Sequence, residues 1–205
     1  MSPEIHLHDE DLPKDLVLGP IVAIDTEAMG LNPHRDRLCL VQLSQGDGIC
    51  HLVKIKPGQK RAPRLEALLK DANILKLFHF ARFDVAILQH TFNLRCAPIY
   101  CTKIASKLVR TFIDRHGLKD LCRDLLGVDI SKTQQSSDWG AEVYTPEQKL
   151  YAATDVLHLH ALKEKLDALL AREGRTELAK ACWDFIPYCA DIDLLGYEEL
   201  KVLAH

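Results

Sequence analysis

The chain has 205 residues, 47% of them hydrophobic, with 26 basic and 29 acidic side chains and a formal net charge of −3. That size and apolar content suit one domain with a sizeable core, and the charge balance argues against gripping a long polyanion by bulk attraction. No apolar run approaches the roughly 20 residues of a membrane-spanning helix, and MSPEIHLHDEDLPKD lacks the basic-then-apolar order of an export signal.

Seven cysteines without a C-x-x-C pair point to reduced thiols and a cytoplasmic setting. Residues 1–16 read as an N-terminal extension. Gly19-Pro20 then marks a turn, and Val22 to Asp25 reads as the end of a buried strand. Leu38 to Ser44 and the run I-C-H-L-V are two further strands joined at Gly46-Asp47-Gly48, which together suggest an antiparallel meander. PRLEALLKD places Leu65, Leu68 and Leu69 on one helical face, and I-L-K-L-F-H follows as a strand.

Ala81 to His90 reads as a helix with Phe83, Ile87 and Leu88 as its apolar stripe. Ile99 to Cys101 is a short strand, and Thr102 is expected to cap a helix ending near Leu108. A helical run from Gly117-Leu118 closes at Gly127. Pro146 opens a long pattern from Glu147 to Glu173. Beyond it, Trp183, Phe185, Ile186 and Tyr188 suggest a short helix that Pro187 ends, within a segment 176–205 that docks or self-associates. The order describes a single domain, 1–205: a meander passing into α/β units, one mixed sheet with helices around it.

Four acids sit at the ends of apolar segments: Asp25 and Glu27 in I-V-A-I-D-T-E, Asp84 in H-F-A-R-F-D, and Asp155 in Y-A-A-T-D. Two positions apart on a strand, Asp25 and Glu27 share a face, and burying both is costly without a cation or strong hydrogen bonds. Tyr151 and Asp155, four apart on a helix, also share a face. Taken singly, each residue has an ordinary reading: a turn cap, a core tyrosine, an acid at a helix dipole. Taken together they are an oxygen-rich set for hard divalent cations, and two ions about 3.5–4 Å apart suit phosphoryl transfer. Tyr151 would then lie beside the attacking water. Two basic sets, Lys54, Lys56, Lys60, Arg61 and Arg64, and Lys103, Lys107, Arg110 and Arg115, are either solvated surface or phosphate contacts.

Asp25-Thr26-Glu27, His79-x-x-x-x-Asp84 and Tyr151-x-x-x-Asp155, with the G-L-K-D-L-C-R-D-L-L-G-V-D-I-S-K-T-Q-Q-S-S-D-W stretch from Gly117, resemble the motifs of the DEDD superfamily of 3′–5′ exonucleases. The tyrosine places the resemblance in the DEDDy branch, the ribonuclease D group, and it spans roughly Val22 to Leu170. It implies a ribonuclease H-like α/β fold and two Mg²⁺ or Mn²⁺ ions on Asp25, Glu27, Asp84 and Asp155. Tyr151 would orient water, and the product would be a nucleoside 5′-monophosphate. It further implies terminal-nucleotide contacts at Met29, Gly30 and Leu31, although Leu31 is as readily a structural leucine. His79 and Phe80 either shape the same pocket or pack a strand end. Lys132, Gln135, Ser137, Asp138 and Trp139 would organise the approach.

Two departures narrow the resemblance: Phe80 stands where many members have asparagine, and G-A-E-V-Y-T-P replaces an Arg-Pro-Leu-like run after Asp138-Trp139. These features, with no room for extra helical RNA-binding domains and with the terminal L-L-G-Y-E-E-L-K-V-L-A-H, look like the compact nanoRNases of alphaproteobacteria. That likeness implies dinucleotides and very short RNA as substrates, with short single-stranded DNA also open to cleavage. It also implies a closed homo-oligomer, an octamer by resemblance. The competing expectations are a broader exonuclease on longer single strands, a noncatalytic nucleic-acid-binding module, and a ribonuclease H-like endonuclease.

Overall fold

The computed structural model describes residues 3–131 and 133–203. Its sheet has six strands: β1 (Glu4–Asp9), β2 (Ile21–Ala28), β3 (Leu38–Ser44), β4 (Ile49–Lys54), β5 (Leu75–Phe78) and β6 (Ile99–Cys101), in the spatial order β1-β4-β3-β2-β5-β6. β2, β3 and β4 form the expected antiparallel meander, while β5 and β6 add in parallel beyond β2. β3 is buried along its whole length, which its near-continuous L-C-L-V-Q-L-S run requires. The mixed sheet flanked by helices is the architecture read from the sequence.

The helices are α1 (Pro63–Lys70), α2 (Ala81–Phe92), α3 (Thr102–Val109), α4 (Leu118–Leu121), α5 (Pro146–Leu157), α6 (Leu159–Arg172) and α7 (Thr176–Leu194). α5 lies against β1 to β4, and α7 lies along α2 and reaches β6. The start of α5 is written locally. Thr145 Oγ1 accepts from Gln148 N at 3.2 Å, Gln148 Oε1 accepts from Thr145 N at 2.9 Å, and Pro146 fills the first turn. This capping box sets the phase at which Tyr151 and Asp155 face the sheet.

Several local expectations change. The pattern from Glu147 to Glu173 is two helices that break at His158, because α5 follows the sheet whereas α6 turns to pack on α3 and β5. Thr102 is not a cap. Cys101 holds that position, and the Thr102 hydroxyl donates to Phe78 O at 3.2 Å, tying α3 to β5. The run closed by Gly127 is helical only to Leu121 and widens into a π-helical turn over Cys122–Leu126.

Pro187 does not end its helix: α7 continues through it to Leu194. Burial of Trp183, Ile186, Pro187 and Ala190 against the body outweighs the one lost backbone bond. Trp183 Nε1 donates to Cys101 O at 3.2 Å, and Gln89 Nε2 to Asp191 Oδ1 at 3.0 Å. Arg82 grips Asp193 through both nitrogens of its fork.

A buried cation holds the β5 end of the sheet. Lys76 is 0% exposed, and its Nζ donates to Asp71 O at 2.7 Å, Ile74 O at 2.8 Å and Ala97 O. All three of its protons are therefore used, although burial, against the opposing influence of Cys96 and Asp71, lowers its pKa to about 8. Lys76→Met should cost about 3 kcal/mol by orphaning three carbonyls at once. Urea unfolding with unchanged slope checks it.

Candidate active site

β2 carries Asp25 and Glu27 to the C-terminal end of the strand, and α5 brings Asp155 over them. One carboxylate oxygen from each of the three lies within 4.8 Å of the others. Asp84, in the first turn of α2, stands beside this group and is almost fully buried, 5% exposed. Thr26, between the two β2 acids, donates from Oγ1 to Asp84 Oδ1 at 2.6 Å. Four acids that are 130 positions apart at their extremes in sequence thus share one pocket of negative charge.

The electrostatics show the strain of that arrangement. Burial, then the charges of Asp84, Asp155 and Glu27, push the Asp25 carboxyl well above its ordinary value. Burial, with Asp155 and Asp84, raises Glu27 to about 9. Asp84 rises to about 7 through burial, against the lowering effect of its bond from Thr26. Such a cluster is stabilised by positive charge at its centre.

The donor chemistry fits a hard divalent cation. All three clustered ligand atoms are carboxylate oxygens, and a 4.8 Å span needs only small side-chain shifts to reach the roughly 3–4 Å between oxygens sharing one Mg²⁺. A further polar group supports the cluster. Gln42, directly opposite Asp25 in the β2–β3 register, is fully buried and donates from Nε2 to Asp25 Oδ2 at 3.4 Å. Its Oε1 has no partner among the described residues. Sequence reasoning missed Gln42 and gave Thr26, named within the first motif, no role of its own. The available signal was a single amide inside the otherwise apolar L-C-L-V-Q-L, and the polar residue between two acids.

Tyr151 lies one helical turn before Asp155, on the same face of α5. Burial, then the nearby carboxylates, push its phenol far above the ordinary tyrosine range. Trp139 backs this ring at 6.0 Å between centroids and is only 3% exposed. It therefore packs behind Tyr151, on the inner side of the expected contact residues. The connection is tied down by Tyr144, whose hydroxyl donates to Trp139 O at 2.9 Å, and by Gln148 Nε2, which donates to Ser137 Oγ at 2.7 Å.

The expected contact residues divide. Met29 (56% exposed) and Leu31 (84%), which follow β2 in sequence, and Phe80 (53%), which precedes α2, are exposed apolar side chains. Gly30 is there for room: a Cβ on it would lie 2.3 Å from Asp36 Oδ2, which accepts from Asn32 N at 3.0 Å and Arg35 Nη2 at 2.7 Å. His79 is half-buried, with Nδ1 at 2.9 Å from Thr102 Oγ1. That hydroxyl's one proton goes to Phe78 O, so Nδ1–H is the donor to it.

Phe80 takes a left-handed backbone, φ 65°, and Lys103 Nζ sits 3.7 Å from its ring centroid. Gln135 is exposed, and Lys132 lies outside the described residues. Of the first basic set, Lys56, Arg61 and Arg64 are engaged by Glu10, Glu66 and Asp11. In the second, Arg110 is buried against Asp124. Removing the Thr26 hydroxyl, as in Thr26→Val, should weaken Mn²⁺ binding about 10–100-fold by freeing Asp84. Calorimetric titration measures this.

Comparison with known proteins places the chain in a family. A 3′–5′ exonuclease family model matches residues 8–171. The solved structure of Brucella melitensis NrnC bound to pGG is 54% identical, with a TM-score of 0.95 and 100% of both chains covered. Brucella melitensis NrnC with bound Mg²⁺ is 53% identical, with a TM-score of 0.93, covering 98% of this chain and 99% of that one. Ribonuclease D of Gluconacetobacter diazotrophicus is 37% identical over 158 residues, 77% of this chain. This chain spans about 40% of the length of that relative.

Proposed function

This chain belongs to the 3′–5′ exonuclease family, and from that premise we propose that it hydrolyses dinucleotides and very short RNA to nucleoside 5′-monophosphates. The carrying observation is the convergence of Asp25, Glu27 and Asp155 within 4.8 Å, with Asp84 alongside. In this reading Asp25, Glu27 and Asp155 hold the cations, two Mg²⁺ or Mn²⁺ ions, and Asp84, steadied by Thr26, completes the set. The chemistry such a pair supplies is Lewis-acid activation of water and neutralisation of charge on the leaving 3′ oxygen.

The chain's own residues supply position and proton control. Tyr151 keeps its proton at working pH, since burial and neighbouring carboxylates raise its pKa. It therefore orients the attacking water by hydrogen bonding and is not the base. Water adds to phosphorus, the P–O3′ bond breaks, and the terminal nucleotide departs with its 5′-phosphate while the remainder keeps a 3′-hydroxyl. Phe80 and Leu31, both exposed, would meet the terminal bases in this reading, and Met29 closes over Gly140, where a Cβ would lie 2.5 Å from Met29 Sδ.

Substrate length rests on the pGG-bound relative, whose match extends over the whole chain. Exposed Phe185, Tyr188, Leu195 and Tyr197 support a homo-oligomer that limits access to short strands. Seven free cysteines support a cytoplasmic setting, and no helix among the described residues is long and apolar enough to cross a membrane.

Turnover of two-, five- and twenty-residue RNAs on one preparation of known mass tests the reading. The dinucleotide should be fastest. Equal rates at every length would replace the short-RNA reading with that of a broader ribonuclease D-like exonuclease, and binding without shortening would leave a noncatalytic module.

A further inference from the structure

Away from the carboxylates, at the outer edge of the sheet, three imidazoles stand together. β1 runs parallel to β4 with His6 level with His51. Strand alternation puts Glu4, His6 and His8 on one face of β1, and His51 on the same face of β4. Asp25, Gln42, Leu52 and Leu7 form a cross-strand row on the opposite face. The cluster and the catalytic acids are thus on different faces. From β1 to β2 is three strand steps, about 14 Å at ~4.8 Å each.

His8 Nε2 lies 3.0 Å from His51 Nδ1. The three rings form a triangle of near-parallel planes, with centroids 5.4 Å apart for His6 and His51, 5.2 Å for His8 and His51, and 6.4 Å for His6 and His8. His6 Nε2 is 2.7 Å from Glu4 Oε1. A 3.0 Å nitrogen–nitrogen contact holds one proton, so at least one of these two rings is neutral and offers a lone pair. Burial first, then neighbouring imidazoles, lowers the pKa of both His8 and His51, which keeps them in the form that binds metal.

We propose that His6, His8 and His51 bind a borderline divalent transition-metal ion of the Zn²⁺ class, with Glu4 as the fourth ligand. Two nitrogens bound to one tetrahedral ion at 2.0–2.1 Å are about 3.3–3.4 Å apart. The His8–His51 pair, at 3.0 Å, need open by only a few tenths of an ångström. His6 must turn to join them, and its ring stands at the solvent-facing edge, with 44% of its side chain exposed. Three imidazoles and one carboxylate select Zn²⁺, Co²⁺ or Ni²⁺ over Mg²⁺, which demands octahedral oxygen. The ion would clamp β1 to β4, fastening an edge strand that otherwise rests on one neighbour.

The test uses the full chain without a histidine tag, stripped by chelator and held in saturating Mg²⁺ so that the carboxylates are occupied. Titration with Co²⁺ should give the intense visible absorption of a tetrahedral site, saturating at one ion per chain and abolished by Zn²⁺. The signal should persist in Asp25→Asn/Asp155→Asn. In His8→Gln/His51→Gln, affinity should fall more than about 100-fold, beyond the 10–100-fold that loss of an outer-sphere partner gives. His6→Gln, changed at an exposed position, should likewise weaken binding more than about 100-fold and covers the case in which the double variant fails to fold by circular dichroism. Absence of the absorption, its survival in a folded histidine variant, or its loss in the aspartate variant would each overturn the site.

Discussion

Asp25→Asn should lower dinucleotide turnover in Mg²⁺ by at least about 10³-fold, the scale on which preorganised charge acts in a water-poor site. Asparagine keeps the shape and can still meet Gln42, so loss of turnover reports the charge and not the fold. The same substitution should make the metal-free protein more stable. Asp25 is pushed well above its ordinary value by burial and by Asp84, Asp155 and Glu27, and neutralising it relieves that repulsion. About 1 kcal/mol of relief corresponds to roughly 2–4 °C in Tm for a chain of this size.

The pH dependence has a definite sign. Glu27 rises from 4.5 to about 9 and Asp84 from 3.8 to about 7 in the folded state. Between those limits the folded chain holds protons that the unfolded chain has released, so metal-free stability falls as pH rises through that window. Thermal melts from pH 5 to pH 9 should show the fall in wild type, a shallower one in Asp25→Asn, and its removal by Mg²⁺. A melt whose pH slope is the same with and without Mg²⁺ counts against the cluster as a cation site.

Tyr151→Phe should reduce kcat by about 10²-fold with KM nearly unchanged, the size expected when a reactant is misplaced and not lost. The ring would still pack against Trp139, so folding should survive. Since the phenol stays protonated through the working range, the wild-type pH–rate profile should show no ionisation belonging to Tyr151, and the variant's profile should keep its shape. A rise in KM equal to the fall in kcat/KM would instead make Tyr151 a binding residue.

Much of this site is legible in the residues because its supports are local. D-T-E on an apolar strand fixes two acids on one face, and the T-P-E-Q capping box sets the phase of Tyr151 and Asp155. β3 and α1 announce themselves through an unbroken apolar run and a helical leucine stripe. What stays hidden depends on partners distant in sequence. β1 has only Ile5 and Leu7 as apolar residues, and its pairing with β4 cannot be read from six residues. Pro187 signals an end, yet packing on α2 and β6 carries α7 past it. Thr26 is a motif residue without a role of its own until α2 delivers Asp84 to its hydroxyl. Trp139 reads as a contact residue in a polar loop, and only the folded connection shows it behind Tyr151.

Calorimetric titration of the chelator-treated chain with Mn²⁺ in the presence of a non-hydrolysable dinucleotide addresses the cation pair itself. Wild type should take up two ions per chain, and Asp25→Asn/Asp155→Asn should take up neither at comparable concentration. Equal uptake by both proteins would mean that these carboxylates do not hold the metal, and the proposed hydrolysis would lose its basis.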